Sequence, residues 1–346
     1  MIDVAIVGAS GYAGIEAVRL VLGHDRLRLT MATSTADEGR AIAALYPSLT
    51  GQTDVSFTLP NVEVIAASAS VALLAVPHTA ALDLAPRLLD LGVIVIDLSA
   101  DYRLHDAEVY EAWYATPHTS PGLLSEAVFG LPELDRSRLA GARLVACPGC
   151  YPTATTLAAL PALRAGVVTG DRVVVDAKSG VSGAGRSATP GTHYVTVDEA
   201  VSPYKVAAHR HTPEIEQALS CAAGRSLGVV FAPHLVPMSR GLLSTVYLDV
   251  AEGFSAAEAQ AIYAEHYADE PFVFVRDADA MPSTAEVRGT NRASIGVTVD
   301  ERTGTLVAAC AIDNLVKGAA GQAIQCLNAV LGLPETEGLD RPGPVV

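Results

Sequence analysis

Val4-Ala5-Ile6-Val7-Gly8-Ala9-Ser10-Gly11-Tyr12-Ala13-Gly14 is the stretch that decides the fold. Four consecutive apolar residues without polar alternation read as a strand buried on both faces, the kind a parallel sheet uses. The turn behind it has the spacing G-x-x-G-x-x-G and opens a helical segment, Gly14 to Leu22. Small residues in such a turn let backbone N–H groups close on a pyrophosphate at the positive end of the helix. Glycines also serve plain tight turns. The position directly after an N-terminal buried strand favours a dinucleotide site, with Gly8, Ser10, Gly11, Tyr12, Ala13 and Gly14 as its loop.

Outward from this loop the alternation continues. Arg28–Ala32, Ala72–Val76 and Val93–Asp97 read as buried strands, with a helix from Ala80 to Leu91 between the last two. Apolar strands alternating with helices define a parallel sheet covered on both faces. The segment Tyr102–Leu144 reads as irregular. Beyond it the strands are longer and interleaved with polar residues: Arg172–Asp176, Gly228–Ala232, Leu243–Val250, Ile295–Val299 and Leu306–Ile312. The last two flank an Arg302-Thr303-Gly304 turn and form a hairpin. The fold expected is α/β, a Rossmann-type parallel sheet followed by a mixed α+β domain, with a closing helix from about Lys317 to Leu331.

The chain has 346 residues, half of them hydrophobic, enough for two domains with sizeable cores. A formal net charge of −15 excludes a nucleic-acid binder, whose affinity would come from Lys and Arg on phosphates. No apolar run reaches the roughly 18 residues a spanning helix needs, and no signal-peptide pattern precedes the first strand. Five cysteines do not make a disulfide scaffold in a chain of this length; reduced thiols in the cytoplasm are expected. Lysine occurs only at 178, 205 and 317, so phosphate ligands must be sought among the arginines.

The second strand runs into Met31-Ala32-Thr33-Ser34-Thr35 with no acid before Asp37. An NAD site usually carries Asp or Glu there. Thr33, Ser34 and Arg40 suit the 2′-phosphate of NADP instead, although Arg40 also fits a solvated loop. Ala146-Cys147-Pro148-Gly149-Cys150-Tyr151-Pro152-Thr153 lies where the two halves of the sequence meet, before an Ala/Leu-rich helix. A thiol at a helix start is held near partial positive charge, which favours the thiolate a covalent nucleophile needs. Competing readings are a C-x-x-C redox pair, a zinc site without its second ligand pair, and two buried packing residues. Cys150 is the nucleophile and Cys147 the buried residue on this reading, with no metal. His209-Arg210-His211-Thr212-Pro213-Glu214 opens another helix, with Thr212 as N-cap and Pro213 at the first helical position. An imidazole there suits a general acid/base near neutral pH; the competing readings are a metal-binding H-x-H pair and an exposed capping segment. The small-residue loop Ser179-Gly180-Val181-Ser182-Gly183 either admits a flat ring or is a flexible turn.

A dinucleotide, a thiolate and an imidazole together imply hydride transfer to or from a thioester carbon. The chain resembles the N-acetyl-γ-glutamyl-phosphate reductases, relatives of the aspartate-semialdehyde dehydrogenases. The resemblance runs through the glycine loop, Asp97–Arg103, Phe129–Leu134, Pro148–Thr153, His209–Ile215 and Asp313–Ala323. It implies NADPH-dependent reduction of N-acetyl-L-glutamyl 5-phosphate to the 5-semialdehyde with release of phosphate, in arginine biosynthesis. Cys150 would carry the thioacyl group, His209 or His211 would be the acid/base, and Glu214 would orient them. Arg103 is the candidate for substrate phosphate, or else an ion-pair partner of Asp97 or Asp101. Tyr151 and Arg186 are further substrate candidates, and Ser179, Gly180, Ser182, Gly183 and Asn314 would line the nicotinamide side. The resemblance also implies a final helix returning to the nucleotide domain, giving 1–148 plus 316–346 as NADP-binding domain and 149–315 as a glyceraldehyde-3-phosphate-dehydrogenase-like catalytic and oligomerisation domain, in a homodimer or homotetramer. Alternatives are a reductase of a carrier-linked aminoadipyl phosphate and a non-catalytic NADP sensor. Cys147 departs from the family's usual Asn, and its thiol opens the expectation of a Cys147–Cys150 disulfide; Ala285 stands near a usual Lys.

Overall fold

The computed structural model describes residues 1–344. The chain forms two compact units, one of Met1–Pro148 with Ala319–Arg341, the other of Gly149–Gly318 with Pro342–Pro344.

The first unit is built on seven strands: β1 (Ile2–Val7), β2 (Leu27–Thr33), β3 (Phe57–Thr58), β4 (Val71–Leu74), β5 (Ile94–Asp97), β6 (Val128–Phe129) and β7 (Leu144–Ala146). Their order is β3-β2-β1-β4-β5-β7-β6, and every pair is parallel. The chain therefore winds outward from β1 to β3, returns, and winds the other way from β4. That reversal leaves a crevice at the carboxyl ends of β1 and β4, where open α/β sheets take their ligands. Val4, Ala5, Ile6 and the whole of β4 are buried, as the unbroken apolar runs require.

The helix after the glycine loop runs from Tyr12 to Leu22, two residues earlier than its apolar pattern suggests. The helix Ala81–Asp90 begins at Ala80, which has no capping side chain. Asp101, wholly buried, does that work from a distance: its Oδ1 accepts the Thr79 N–H at 2.8 Å and its Oδ2 the Ala81 N–H at 3.1 Å. The stretch Tyr102–Leu144 is more ordered than its composition suggests. It holds a helix, Ala107–Tyr114, capped by Asp106, as well as β6. The helix Gly321–Val330 completes this unit, with Ala323, Ile324, Cys326 and Leu327 buried in it. It is preceded by a π-turn, Val316–Ala320, rather than starting at Lys317.

The second unit carries β8 (Arg172–Gly180), β9 (Ser202–Pro203), β10 (Gly228–Val236), β11 (Leu242–Asp249), β12 (Val273–Val275), β13 (Ala293–Asp300) and β14 (Thr305–Ile312). The order is β12-β13-β14-β11-β8-β10-β9. The sheet is mixed, with β10/β8 and β12/β13 parallel and the other pairs antiparallel. The hairpin between β13 and β14 closes through Gly304 at φ +64°. β8 continues past Asp176 to Gly180, so Ser179 and Gly180 are strand residues and the loop begins after them.

One face of this sheet is covered by the helices Cys150–Arg164, Thr212–Ala223 and Ala256–His266. The Cys150 helix is buried at every residue from Tyr151 to Leu163. Pro161 removes the N–H that Leu157 C=O would accept four residues back, and the buried Tyr267 hydroxyl donates to that carbonyl at 2.6 Å. A second phenol, Tyr263, donates to Ala158 C=O at 2.5 Å. These contacts fix the helix along its length and so fix the residue at its amino end.

Candidate active site

In the first unit the glycine loop is shaped by contacts that exclude side chains. Gly8 has φ +82°, and a Cβ there would lie 2.4 Å from Ala75 O; a Cβ on Gly14 would lie 2.3 Å from Gly8 O. Gly11 is the N-cap of the Tyr12 helix and offers its first amides no side chain. Tyr12 is 37% exposed at the helix start, with Ala13 beside it. Ser10 Oγ and Ser34 Oγ are 2.8 Å apart, and Gly8 N–H donates to Thr33 Oγ1 at 3.2 Å. The end of β2 is thus tied to the loop, and at Gly11, where a Cβ would meet only Gly8 O at 3.7 Å, the start of the helix is left open, which suits a pyrophosphate. Arg40 stands half-exposed, with Nη2 on Ala44 O at 3.0 Å and Nη1 3.7 Å from Asp37.

Arg103 is almost completely buried in the same unit, donating through Nε to Cys147 O and through Nη2 to Leu98 O, both at 2.7 Å. Nε therefore supports the backbone leading to Cys150, and Nη2 the turn that follows β5. Asp97, beneath it, is wholly buried. Burial pushes its carboxyl up to about 7, against the opposing pull of the Ser99 N–H and hydroxyl. Cys147 and Cys150 are both free thiols. The Cys147 thiol is wholly buried and hydrogen-bonded with Cys326; that bond and burial push it well above the usual thiol range.

In the second unit Cys150 is the first residue of its helix, and the N-cap, Gly149, supplies no side-chain cap. Against Gly149 lies the His211 ring: a Cβ at 149 would fall 2.4 Å from His211 Nε2 and 2.5 Å from its Cε1. Gly149 N–H donates to Glu214 Oε1 at 2.8 Å, and Glu214 is 1% exposed. A Cβ at Gly318 would fall 2.7 Å from Cys150 Cβ. Two glycines thus let the imidazole and the π-turn close around the cysteine. His209 Nδ1 accepts the His211 N–H at 3.1 Å, and the two rings are 4.8 Å apart. Burial, reinforced by Lys205 and Arg210, pushes His209 down to about 4, so it is neutral at pH 7. Tyr151 is buried; its hydroxyl donates to His234 O at 3.3 Å and accepts from Tyr204 at 3.1 Å. Burial above all, then the nearby Tyr204 and Cys150, push its phenol far up.

The capping expected of Thr212 is not made. The helix starts at Thr212 itself, His211 is the N-cap, and Thr212 Oγ1 is buried without a hydrogen-bond partner. Ser179, Gly180, Ser182, Gly183 and Asn314 come together. Asn314 Nδ2 donates to Ser182 Oγ at 2.9 Å, and its Oδ1 accepts Gly241 N–H at 2.8 Å. A Cβ on Gly183 would lie 3.0 Å from Ser179 Oγ, and Gly180 is pressed against the turn Met238–Arg240. Arg186 lies outside this group, exposed. Sequence reasoning missed Tyr204, Arg240, Asp313 and Gly318. Only the last two lay within a quoted motif, and nothing in spacing marks a residue that meets the site through a turn. Among the described residues no cluster of three or more His, Cys, Asp and Glu side chains is arranged to hold a metal.

A nucleotide-type sheet and a mixed domain led by a cysteine at its helix start are the parts of the semialdehyde dehydrogenase class. Its NAD binding domain matches residues 3–142 and its dimerisation domain residues 150–314. Similar solved structures include aspartate semialdehyde dehydrogenase II complexed with ASA from Vibrio cholerae, at TM-score 0.73 and 18% identity, covering 96% of this chain and 98% of that one. Another is aspartate semialdehyde dehydrogenase with NADP from Candida albicans, at TM-score 0.69 and 13% identity, covering 95% and 98%. These likenesses concern the fold. Curated relatives named N-acetyl-gamma-glutamyl-phosphate reductase, from Geobacter sp. (strain M21) and Geotalea daltonii, are 49% and 50% identical, covering 98% and 99% of both chains. The chain belongs to the N-acetyl-gamma-glutamyl-phosphate reductase family.

Proposed function

We propose that the protein reduces N-acetyl-L-glutamyl 5-phosphate to N-acetyl-L-glutamate 5-semialdehyde with NADPH, releasing phosphate, as a step of arginine biosynthesis in the cytoplasm. The observation that carries this reading is the placing of Cys150 at an uncapped helix start, with His211 Nε2 against the backbone of the preceding residue. The positive end of a helix stabilises negative charge on Sγ. His211, not His209, is the acid/base: His209 is occupied at Nδ1 and held neutral, and it positions the His211 backbone.

His211 Nε2 takes the thiol proton as Cys150 Sγ bonds to the acyl carbon. The C–O bond to phosphate breaks with its electron pair on the departing phosphate, which receives that proton. When bound, NADPH supplies the hydride that reduces the thioacyl carbon. The tetrahedral adduct then releases the aldehyde as the C–S bond breaks, and the thiolate left at the helix end takes up a solvent proton through His211, restoring the thiol for the next turnover. Glu214 holds Gly149 N–H and so fixes the loop in front of Sγ. Gly8, Ser10, Gly11, Tyr12, Ala13 and Gly14 would hold the pyrophosphate, Thr33, Ser34 and Arg40 the 2′-phosphate side, and Ser179, Gly180, Ser182, Gly183 and Asn314 the nicotinamide. Arg103 and Tyr151 are assigned to shaping the pocket for the acyl phosphate, and Arg186 to its outer charge.

Homodimer formation is proposed through the uncovered face of the second sheet. There Val174, paired in register with both Val230 and Tyr247, forms an exposed apolar row with them. Mixing protein with the acyl phosphate in the absence of NADPH, then quenching and digesting, tests the chemistry. A thioacyl adduct on the Cys150 peptide is expected, and its absence refutes the covalent route.

A further inference from the structure

We propose that Arg240 binds the α-carboxylate of the substrate and that Asp313 holds Arg240 ready for it. The inference rests on the reductase reading above and adds a residue that selects the substrate.

Arg240 lies in the turn between β10 and β11. That turn is laced to the loop after β8: Gly180 N–H donates to Gly241 O at 2.9 Å, Val181 N–H to Met238 O at 2.9 Å and Ser182 N–H to Ser239 O at 3.2 Å. The Arg240 side chain is 29% exposed, with Nη1 3.5 Å from Oδ2 of the wholly buried Asp313. Asp313 is fixed in place by backbone donors. Its Oδ1 accepts the N–H groups of Leu315 at 2.8 Å and Val316 at 3.2 Å, and its Oδ2 that of Gly289 at 2.7 Å. The same residue's carbonyl accepts Gly318 N–H at 3.0 Å, and Gly318 is the glycine pressed against Cys150. One short turn therefore carries both the anchor of Arg240 and the floor beneath the nucleophile.

A guanidinium is planar and can meet a carboxylate along one edge while another faces a partner. Asp313 neutralises much of the charge on Arg240. A neutralised arginine suits a monoanionic carboxylate that stays bound throughout turnover, and it suits a dianionic phosphate that must leave poorly. Two lysines of this unit have other neighbours. Lys178 pairs with Asp176 at 2.6 Å, and Lys317 is wholly buried with its ammonium 5.7 Å from the Phe272 ring centroid.

The test uses the reverse reaction, phosphate-dependent reduction of NADP, with two aldehydes: N-acetylglutamate semialdehyde, and 4-acetamidobutanal, which lacks only the carboxylate. Arg240→Gln is expected to lower kcat/KM for the first roughly 30- to 100-fold, the size of a lost charge-assisted hydrogen bond. The second should change by less than about 2-fold, with KM for phosphate unmoved and Arg240→Lys recovering part of the loss. Equal losses on both aldehydes, no loss on either, or a rise confined to the phosphate KM would overturn the inference. Wild-type protein inert on both aldehydes would overturn the reductase reading along with it.

Discussion

Replacing Gly149 by alanine tests whether His211 stands where the chemistry needs it. The backbone accepts the change, because Gly149 has φ −68° and ψ 162°, ordinary extended geometry. The added methyl does not fit, since it would lie 2.4 Å from His211 Nε2, 2.5 Å from Cε1 and 3.0 Å from Cδ2. Normal carbon contacts begin near 3.5 Å, so the ring must retreat by about 1 Å. Overpacking of this kind costs about 1–3 kcal/mol of stability. A 1 Å displacement of an acid/base costs about 100-fold in rate, within the range general acid–base catalysis contributes. The assay is steady-state turnover in both directions, with denaturant titration alongside. Placing the same change in a His211→Ala background closes a double-mutant cycle. With the ring gone, the methyl should cost under about 0.5 kcal/mol and have no further effect on rate. Gly149→Ala protein that turns over within about 3-fold of wild type would refute the placement of His211, and with it the assignment of the base.

Three other outcomes follow from charge and burial. Asp97, raised to about 7 from an ordinary 3.8, keeps in the native state a proton the unfolded chain has lost. Its contribution is therefore full below pH 4 and lost as pH rises through 7; hydrogen exchange of β5 peptides should quicken over that window in wild type and not in Asp97→Asn. His209 is shifted the other way, to about 4. Its contribution is present above about pH 6.5 and lost as pH falls to 4, worth at most roughly 3 kcal/mol. The kcat/KM should accordingly be largely retained in His209→Asn and fall by about 10²- to 10⁴-fold in His211→Asn. Cys147 is wholly buried against Cys326. Iodoacetamide should label Cys150 first, and Cys147→Ala should be inactivated by peroxide as fast as wild type; protection by that substitution would restore the Cys147–Cys150 disulfide.

The legible parts of the fold were those whose periodicity was local. The run Val4–Val7 and the glycines after it announced strand, turn and helix because burial on both faces leaves no polar positions. Cys150 was legible because its setting, a thiol ahead of an apolar helix, is written in consecutive residues. The Ala107–Tyr114 helix was hidden by aromatic residues that also suit loops, and β8 was cut short because Ser179 and Gly180 look like turn formers. At Pro233 a strand continues through a residue that usually ends one, on the side where β10 meets only the two-residue β9. The choice between His209 and His211 was invisible for another reason. It depends on which ring faces Gly149, a fact set by backbone direction at a helix start, and the two residues are alike in every property a sequence records. Arg240 was missed because its meaning comes from Asp313, 73 positions away.

The first unit takes its last helix from beyond Gly318, after Gly149–Gly318 of the second has been made. On the ribosome, the strands β1 to β7 therefore emerge without the segment that buries Cys147 and receives His24 at Asn328. The nascent parallel sheet must wait, its apolar flank uncovered, for some 170 further residues at roughly 5–20 residues per second. Such an interval, about 8 to 34 seconds at those rates, is long enough for chaperone engagement, and it makes the carboxyl-terminal segment, rather than the nucleophile-bearing half, the limiting component of a productive yield.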